Sequence, residues 1–197
     1  MAPEASAPLA ALTPATLVLA TLALAAPPAA AAPARSVLHN GDSLAVGTQL
    51  YLRQALPGWR IRSSVDISRH ASEGPGILRR YGRGLPRVIV MSLGTNDDPR
   101  SVATFRRAIR QTMRIAGRRR CVVWANIVRP PVGGVGYGAM NTVLAREARR
   151  RPNLHVFQWA RMARSNRHLF GADRVHPSGT DYRARARGIA QVVRRCR

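Results

Sequence analysis

A chain of 197 residues has room for one well-buried domain and is short for two. Its 32 basic residues, all of them arginine, stand against 9 acids and give a formal charge of +23. That excess raises association rates and non-specific binding to polyanions and says little about fold. The arginines are scattered, so a merely solvated basic surface and a working surface for anionic envelope polymers or lipid are both compatible with them. No zinc-finger spacing and no basic motif interleaved with aromatics is present, which excludes sequence-specific nucleic-acid recognition.

The first 34 residues differ from the rest. The apolar run LAALTPATLVLATLALAA (9–26), followed by PPAAAAPA, reads as a secretory signal with cleavage near residues 30–34. The segment before it carries Glu4 and no basic residue, and the run is nearly long enough to span a bilayer, so a retained anchor is the second reading. Residues 35–197 then form the domain. Export would place Cys121 and Cys196, the two cysteines of the chain, in an oxidising compartment where a disulfide is expected; two buried thiols are the alternative.

After residue 35 short apolar runs alternate with helical stretches. The expected strands are 36–40, 59–65, 87–93, 121–127 and 154–159, several of them near-continuous β-branched runs suited to a sheet covered on both faces. Helices are expected over 44–56, stopped by Pro57-Gly58, and over 73–84, 98–117, 137–151 and 178–196. Asp98 is read as the N-cap of the third, with Pro99 in its first turn, and Trp59, Trp124 and Trp159 are read as core residues on strands. Strand and helix alternating at this pitch give a three-layer α/β/α sandwich around a five-stranded parallel sheet.

In such sheets functional groups gather beyond the carboxyl ends of the strands. Gly41-Asp42-Ser43 follows the first strand, Gly94-Thr95-Asn96-Asp97 follows the third, and Asp173-Arg174-Val175-His176-Pro177 precedes the last helix. Ser43 at a helix start has an open backbone N–H where negative charge is favoured, although Asp42 or Ser43 could equally be a plain N-cap. Asp173 and His176, three residues apart, can hold a carboxylate against one imidazole nitrogen while the other faces Ser43, the nucleophile–base–orienter arrangement of serine hydrolases. Asn96 can aim its amide at a developing oxyanion, while Asp97 is read as a turn stabiliser. GVGYGA (134–139) fits a dinucleotide fingerprint only loosely and is read as a substrate-side loop. His39, His70, His155 and His168 lack the spacing of metal ligands.

At these three segments the chain resembles the GDSL/SGNH hydrolase family. The GDS block is matched by Gly41 to Leu44, the GxND block by Gly94 to Asp97, and the DxxHP block by Asp173 to Pro177, in the family's order and across essentially all of 36–195. The resemblance implies a flavodoxin-like sheet, Ser43 as nucleophile, His176 as base and Asp173 as its orienter. It also implies an oxyanion hole from the Ser43 N–H, the Asn96 side chain and one further N–H. The family usually places a glycine at that last position; here Ser68 aligns with it, and Gly74 is the alternative. The implied activity is a secreted serine esterase without metal or organic cofactor, monomeric, acting on acylated glycan, lipid or small esters. With both cysteines placed on the rim opposite the site, by a strand start and a helix end, their pairing fits this topology. The rival expectation is a basic protein of the same fold that has lost turnover and binds anionic envelope polymers.

Overall fold

The computed structural model describes residues 35–166 and 170–196; the expected leader (1–34) and His168 lie outside the described residues. The strands are β1 (Ser36–Gly41), β2 (Arg60–Val65), β3 (Val88–Ser92), β4 (Cys121–Ala125) and β5 (Leu154–Phe157). The helices are α1 (Ser43–Ala55), α2 (Gly74–Tyr81), α3 (Val102–Ala116), α4 (Gly138–Arg149), α5 (Trp159–Ser165) and α6 (Asp181–Val193). All strand pairs are parallel, in the order β2-β1-β3-β4-β5. Leaving β1, the chain moves outward to β2 and then returns to place β3 on β1's other side. That reversal opens a crevice beyond the carboxyl ends of β1 and β3.

Alternation along the strands builds two cores. Leu38, Ile89, Met91, Val122 and Trp124 face α2, α3 and α4, against Leu78, Phe105, Ile109, Met140 and Leu144. Val37, Val88, Val90 and Val123 face α1 and α6, against Leu52, Ile189, Ala190 and Val193. Every position of β3 and β4 is buried, as sheets covered on both faces require.

Four expectations need correction. The last strand ends at Phe157, and Trp159 instead opens α5, where the Asn126 side-chain oxygen accepts the Ala160 N–H. Trp59 precedes β2, half-buried beneath the Arg35 guanidinium, so of the three tryptophans only Trp124 lies on a strand. Asp98 does not cap α3: its carboxylate accepts the Arg100 N–H in a turn of its own, and the helix starts four residues on, with the Ser101 carbonyl accepting from Phe105. Short acidic side chains favour such local turns over helix continuation. The final helix likewise begins at Asp181 rather than 178, because the Ser178 carbonyl accepts from Asp181 and Tyr182 in a preceding turn.

Cys121 and Cys196 form a disulfide that ties the start of β4 to the residues after α6, across a separation of 75 residues. Closing a loop of that length restricts the unfolded chain most strongly. Replacing both cysteines by serine is expected to lower unfolding free energy by roughly 4 kcal/mol, read from urea denaturation. An unchanged midpoint would remove the bond from the list of stabilising features.

Candidate active site

Ser43 stands where β1 turns into α1 with no intervening loop. Gly41 permits the turn: a Cβ there would lie 2.3 Å from Ala45 Cβ and 2.8 Å from the Ser92 carbonyl. Asp42 caps the helix, its Oδ1 accepting the Leu44 N–H at 3.0 Å and its carbonyl accepting from Ala45 and Val46. The Ser43 N–H makes no hydrogen bond among the described residues and stays available at the positive end of α1.

The imidazole comes from the far end of the chain. His176 Nε2 lies 2.8 Å from Ser43 Oγ, and His176 Nδ1 lies 2.5 Å from Asp173 Oδ2. The hydrogen bond from Nδ1, then the backbone N–H groups of Val175 and His176, hold the Asp173 carboxyl well below the usual carboxylate range. An ionised carboxylate can only accept. Nδ1 therefore carries the proton, and Nε2 offers its lone pair to the serine hydroxyl. The relay is open to solvent, with the His176 and Asp173 side chains 41% and 51% exposed.

The third segment lies on the adjoining strand end. Gly94 turns at φ 123°, where a Cβ would sit 2.7 Å from Ile127 Cδ1 and 2.9 Å from Phe105, so only glycine fits. The Thr95 carbonyl accepts from Arg129 Nη1 at 2.7 Å, and the Asp97 carbonyl from the Tyr137 hydroxyl at 3.0 Å. Asp97 stabilises the neighbouring turn by accepting the Ala71 N–H at 2.9 Å, and burial pushes its carboxyl up. Asn96 Nδ2 donates to the Arg69 carbonyl at 3.4 Å, which brings residues 66–70 beside the serine.

That stretch is fastened to β1 as well. The Asp66 N–H donates to the Gly41 carbonyl, and Arg69 Nη1 reaches Ser64 O at 2.5 Å, Asn40 Oδ1 at 3.2 Å and Gly41 O at 3.4 Å. Ser68 sits in it at φ 59°, a conformation in which glycine is at ease and serine uncommon, and its N–H has no hydrogen bond among the described residues. Gly74 differs: its N–H already donates to the Ala71 carbonyl, and its own carbonyl accepts from Asn40. It has no donor to offer.

Three arginines were not singled out by sequence. Arg69 carries the loop just described, and Arg129 props the turn before Asn96. Arg185 of α6 is 1% exposed; it donates to Thr48 Oγ1 of α1 at 3.0 Å and to Ser92 Oγ of β3 at 2.9 Å, and lies over the Trp159 ring. Burial lowers its guanidinium to about 10, opposed by the negative charge of Asp42. Beside it, burial and then the Arg185 charge push the His39 imidazole down to about 3, leaving it neutral. Arg185 repeats with Ile189 and Val193 at a spacing of four on the buried stripe of α6, which is the one sequence signal that could have marked it.

No family model and no curated protein sequence matches the chain. The fold is shared with solved structures. The C-terminal catalytic domain of peptidoglycan O-acetyltransferase A from Streptococcus pneumoniae, carrying a methylsulfonyl adduct, aligns with a TM-score of 0.66 at 19% identity, over 83% of this chain and 92% of that one. A lipolytic protein of the G-D-S-L family from Veillonella parvula gives 0.65 at 16%, over 81% and 98%. The lipase/acylhydrolase from Enterococcus faecalis gives 0.66 at 16%, over 83% and 97%. The architecture is therefore the α/β fold of GDSL/SGNH hydrolases. Identity this low extends the likeness to fold and no further.

Burial pushes the Asp42 carboxyl up to about 6, against the opposing pull of Arg185 and the Leu44 N–H. Between about pH 4 and pH 6 the folded chain thus keeps a proton that the unfolded chain has released, so this contribution to stability is full below about pH 4 and lost above about pH 6. Asp42→Asn keeps a neutral cap and removes the titration. Its stability relative to wild type is expected to rise by roughly 3 kcal/mol across that window, measured by urea denaturation at a series of pH values. A difference that stays flat with pH would show that no buried carboxylate titrates there.

Proposed function

We propose that the protein is an exported serine esterase that hydrolyses carboxylic esters through an acyl-enzyme. The reading is carried by one observation: Ser43 Oγ, His176 and Asp173 form a continuous hydrogen-bonded relay at 2.8 and 2.5 Å. Ser43 attacks the carbonyl carbon as His176 Nε2 takes its proton, and Asp173 stabilises the imidazolium. The developing oxyanion is held by the N–H groups of Ser43 and Ser68 and by the Asn96 amide hydrogen not directed at Arg69. His176 then protonates the departing alcohol, and water activated by the same imidazole releases the acid. No step calls for a metal or organic cofactor. Export is supported by the apolar leader and by the disulfide, since such bonds persist in oxidising compartments.

Purified residues 35–197 are expected to hydrolyse 4-nitrophenyl acetate. Ser43→Ala should reduce turnover to the uncatalysed rate, and Asp173→Asn should lower kcat by about 10²–10⁴. Asn96→Ala should cost about 10²–10³ in kcat with little change in KM. Ser68→Gly, which keeps the backbone donor and relaxes its positive φ, should stay within about threefold of wild type. Wild type and Ser43→Ala acting at equal rates would end the esterase reading and leave binding of anionic polymers as the function of the fold.

A further inference from the structure

A trough runs away from the relay between two loops, residues 128–132 and 170–176. Its near end, about 350 Å³, is lined by Asn96, His176, Asp173 and Val132. Its far end, about 420 Å³, shares Arg129, Pro130 and Pro131 with the near end and continues over Val128, Ala163 and Phe170. The floor there is apolar, and the guanidinium-bearing side chains around it are Arg129, Arg164 and Arg174. Among the described residues the one acid lining the trough is Asp173, at its near end, and its charge is already engaged by His176. The guanidinium groups of Arg164 and Arg174 make no hydrogen bond or ion pair among the described residues. The relay loop itself places Arg174. The Asp173 carboxylate accepts the N–H groups of Val175 and His176, the Arg174 N–H donates to the Gly171 carbonyl, and Arg174 is left at φ 57° beside the trough.

We propose that the far end of this trough is an anion subsite, and that the substrate is an ester whose alcohol part bears a carboxylate or phosphate on a short apolar body. The inference rests on the esterase reading. The alcohol side is assigned because the trough follows the His176 loop, and the imidazole must deliver its proton to the departing alkoxide. Arginine is suited to such a role: its planar fork binds oxyanions in two contacts, and it is weakly hydrated beside an apolar wall. Charge is abundant over the whole surface, so a general field would attract any anion equally. The subsite predicts discrimination that follows two particular arginines.

The test compares 4-acetoxybenzoate with its methyl ester, which share the acetyl group and differ in one negative charge on the alcohol. Arg164→Gln with Arg174→Asn, asparagine being tolerant of positive φ, should lower kcat/KM for the anionic ester about tenfold and leave the neutral ester within about twofold. Arg107→Gln with Arg114→Gln on the exposed face of α3 removes the same net charge elsewhere and should change both esters by less than about twofold. The inference is overturned if both esters fall together in the first variant, or if the α3 variant affects the anionic ester as strongly. Calorimetry of 4-hydroxybenzoate against Ser43→Ala separates this result from the esterase reading. Should wild type cleave neither ester, binding weakened about tenfold by the Arg164/Arg174 pair still supports the subsite, and binding indifferent to the pair removes it.

Discussion

A single buried guanidinium sets the distances on which the site depends. Arg185 leaves α6 and donates at once to α1, through Thr48, and to β3, through Ser92. Thr48 in turn donates to the carbonyl of Leu44, the residue next to Ser43, and the Ser92 carbonyl accepts the N–H of Asp42. Taking a charge out of water costs several kcal/mol, so such a group persists only where its donors and its field are answered. Here two hydroxyls take Nη1 and Nη2, while the face of Trp159 and the negative charge of Asp42 offset the field; Nε has no hydrogen-bond partner among the described residues. The helix that follows the His176 loop is thereby pinned to the helix that begins at Ser43.

Packing sharpens the same restraint. A Cβ on Gly47 of α1 would fall 2.2 Å from the ring of Tyr182, so that ring packs directly against the α1 backbone there. On the other side of the crevice, Arg129 and Tyr137 reach across from beyond β4 and donate to the Thr95 and Asp97 carbonyls that flank Asn96. Residues 66–70 are tied to the end of β1. Serine, imidazole and amide thus come from separate stretches of chain that meet at the switch point. That is the economy of an open parallel sheet: the strands end together, and short connections need only turn inward.

The layers, the strand count and the convergence of the three segments were legible in sequence because hydrophobic alternation and Gly, Pro and Asn punctuation are local signals. What escaped was decided by competition or by distance. The start of α3 moved from Asp98 to Val102 because a carboxylate one residue before proline found a nearer partner in the Arg100 N–H. Trp159 passed from strand to helix because Asn126, thirty-odd residues earlier, offers its side chain to the N–H of Ala160. Arg69, Arg129 and Arg185 were hidden by their own abundance. Among 32 arginines, composition cannot tell the few that hold the frame from those that face water. Ser68 gave no warning of its left-handed backbone either, since that conformation follows from where Asp66 and Arg69 are anchored.

The half-exposed setting of His176 and Asp173 has a bearing on the fate of any acyl group that Ser43 carries. A deep, greasy vestibule would shelter such an adduct and hand it to a chosen hydroxyl. On the esterase reading proposed above, an imidazole facing bulk solvent would offer it instead to the most plentiful nucleophile at hand, and the bond between serine and acid would be a brief stop on the way to free carboxylate.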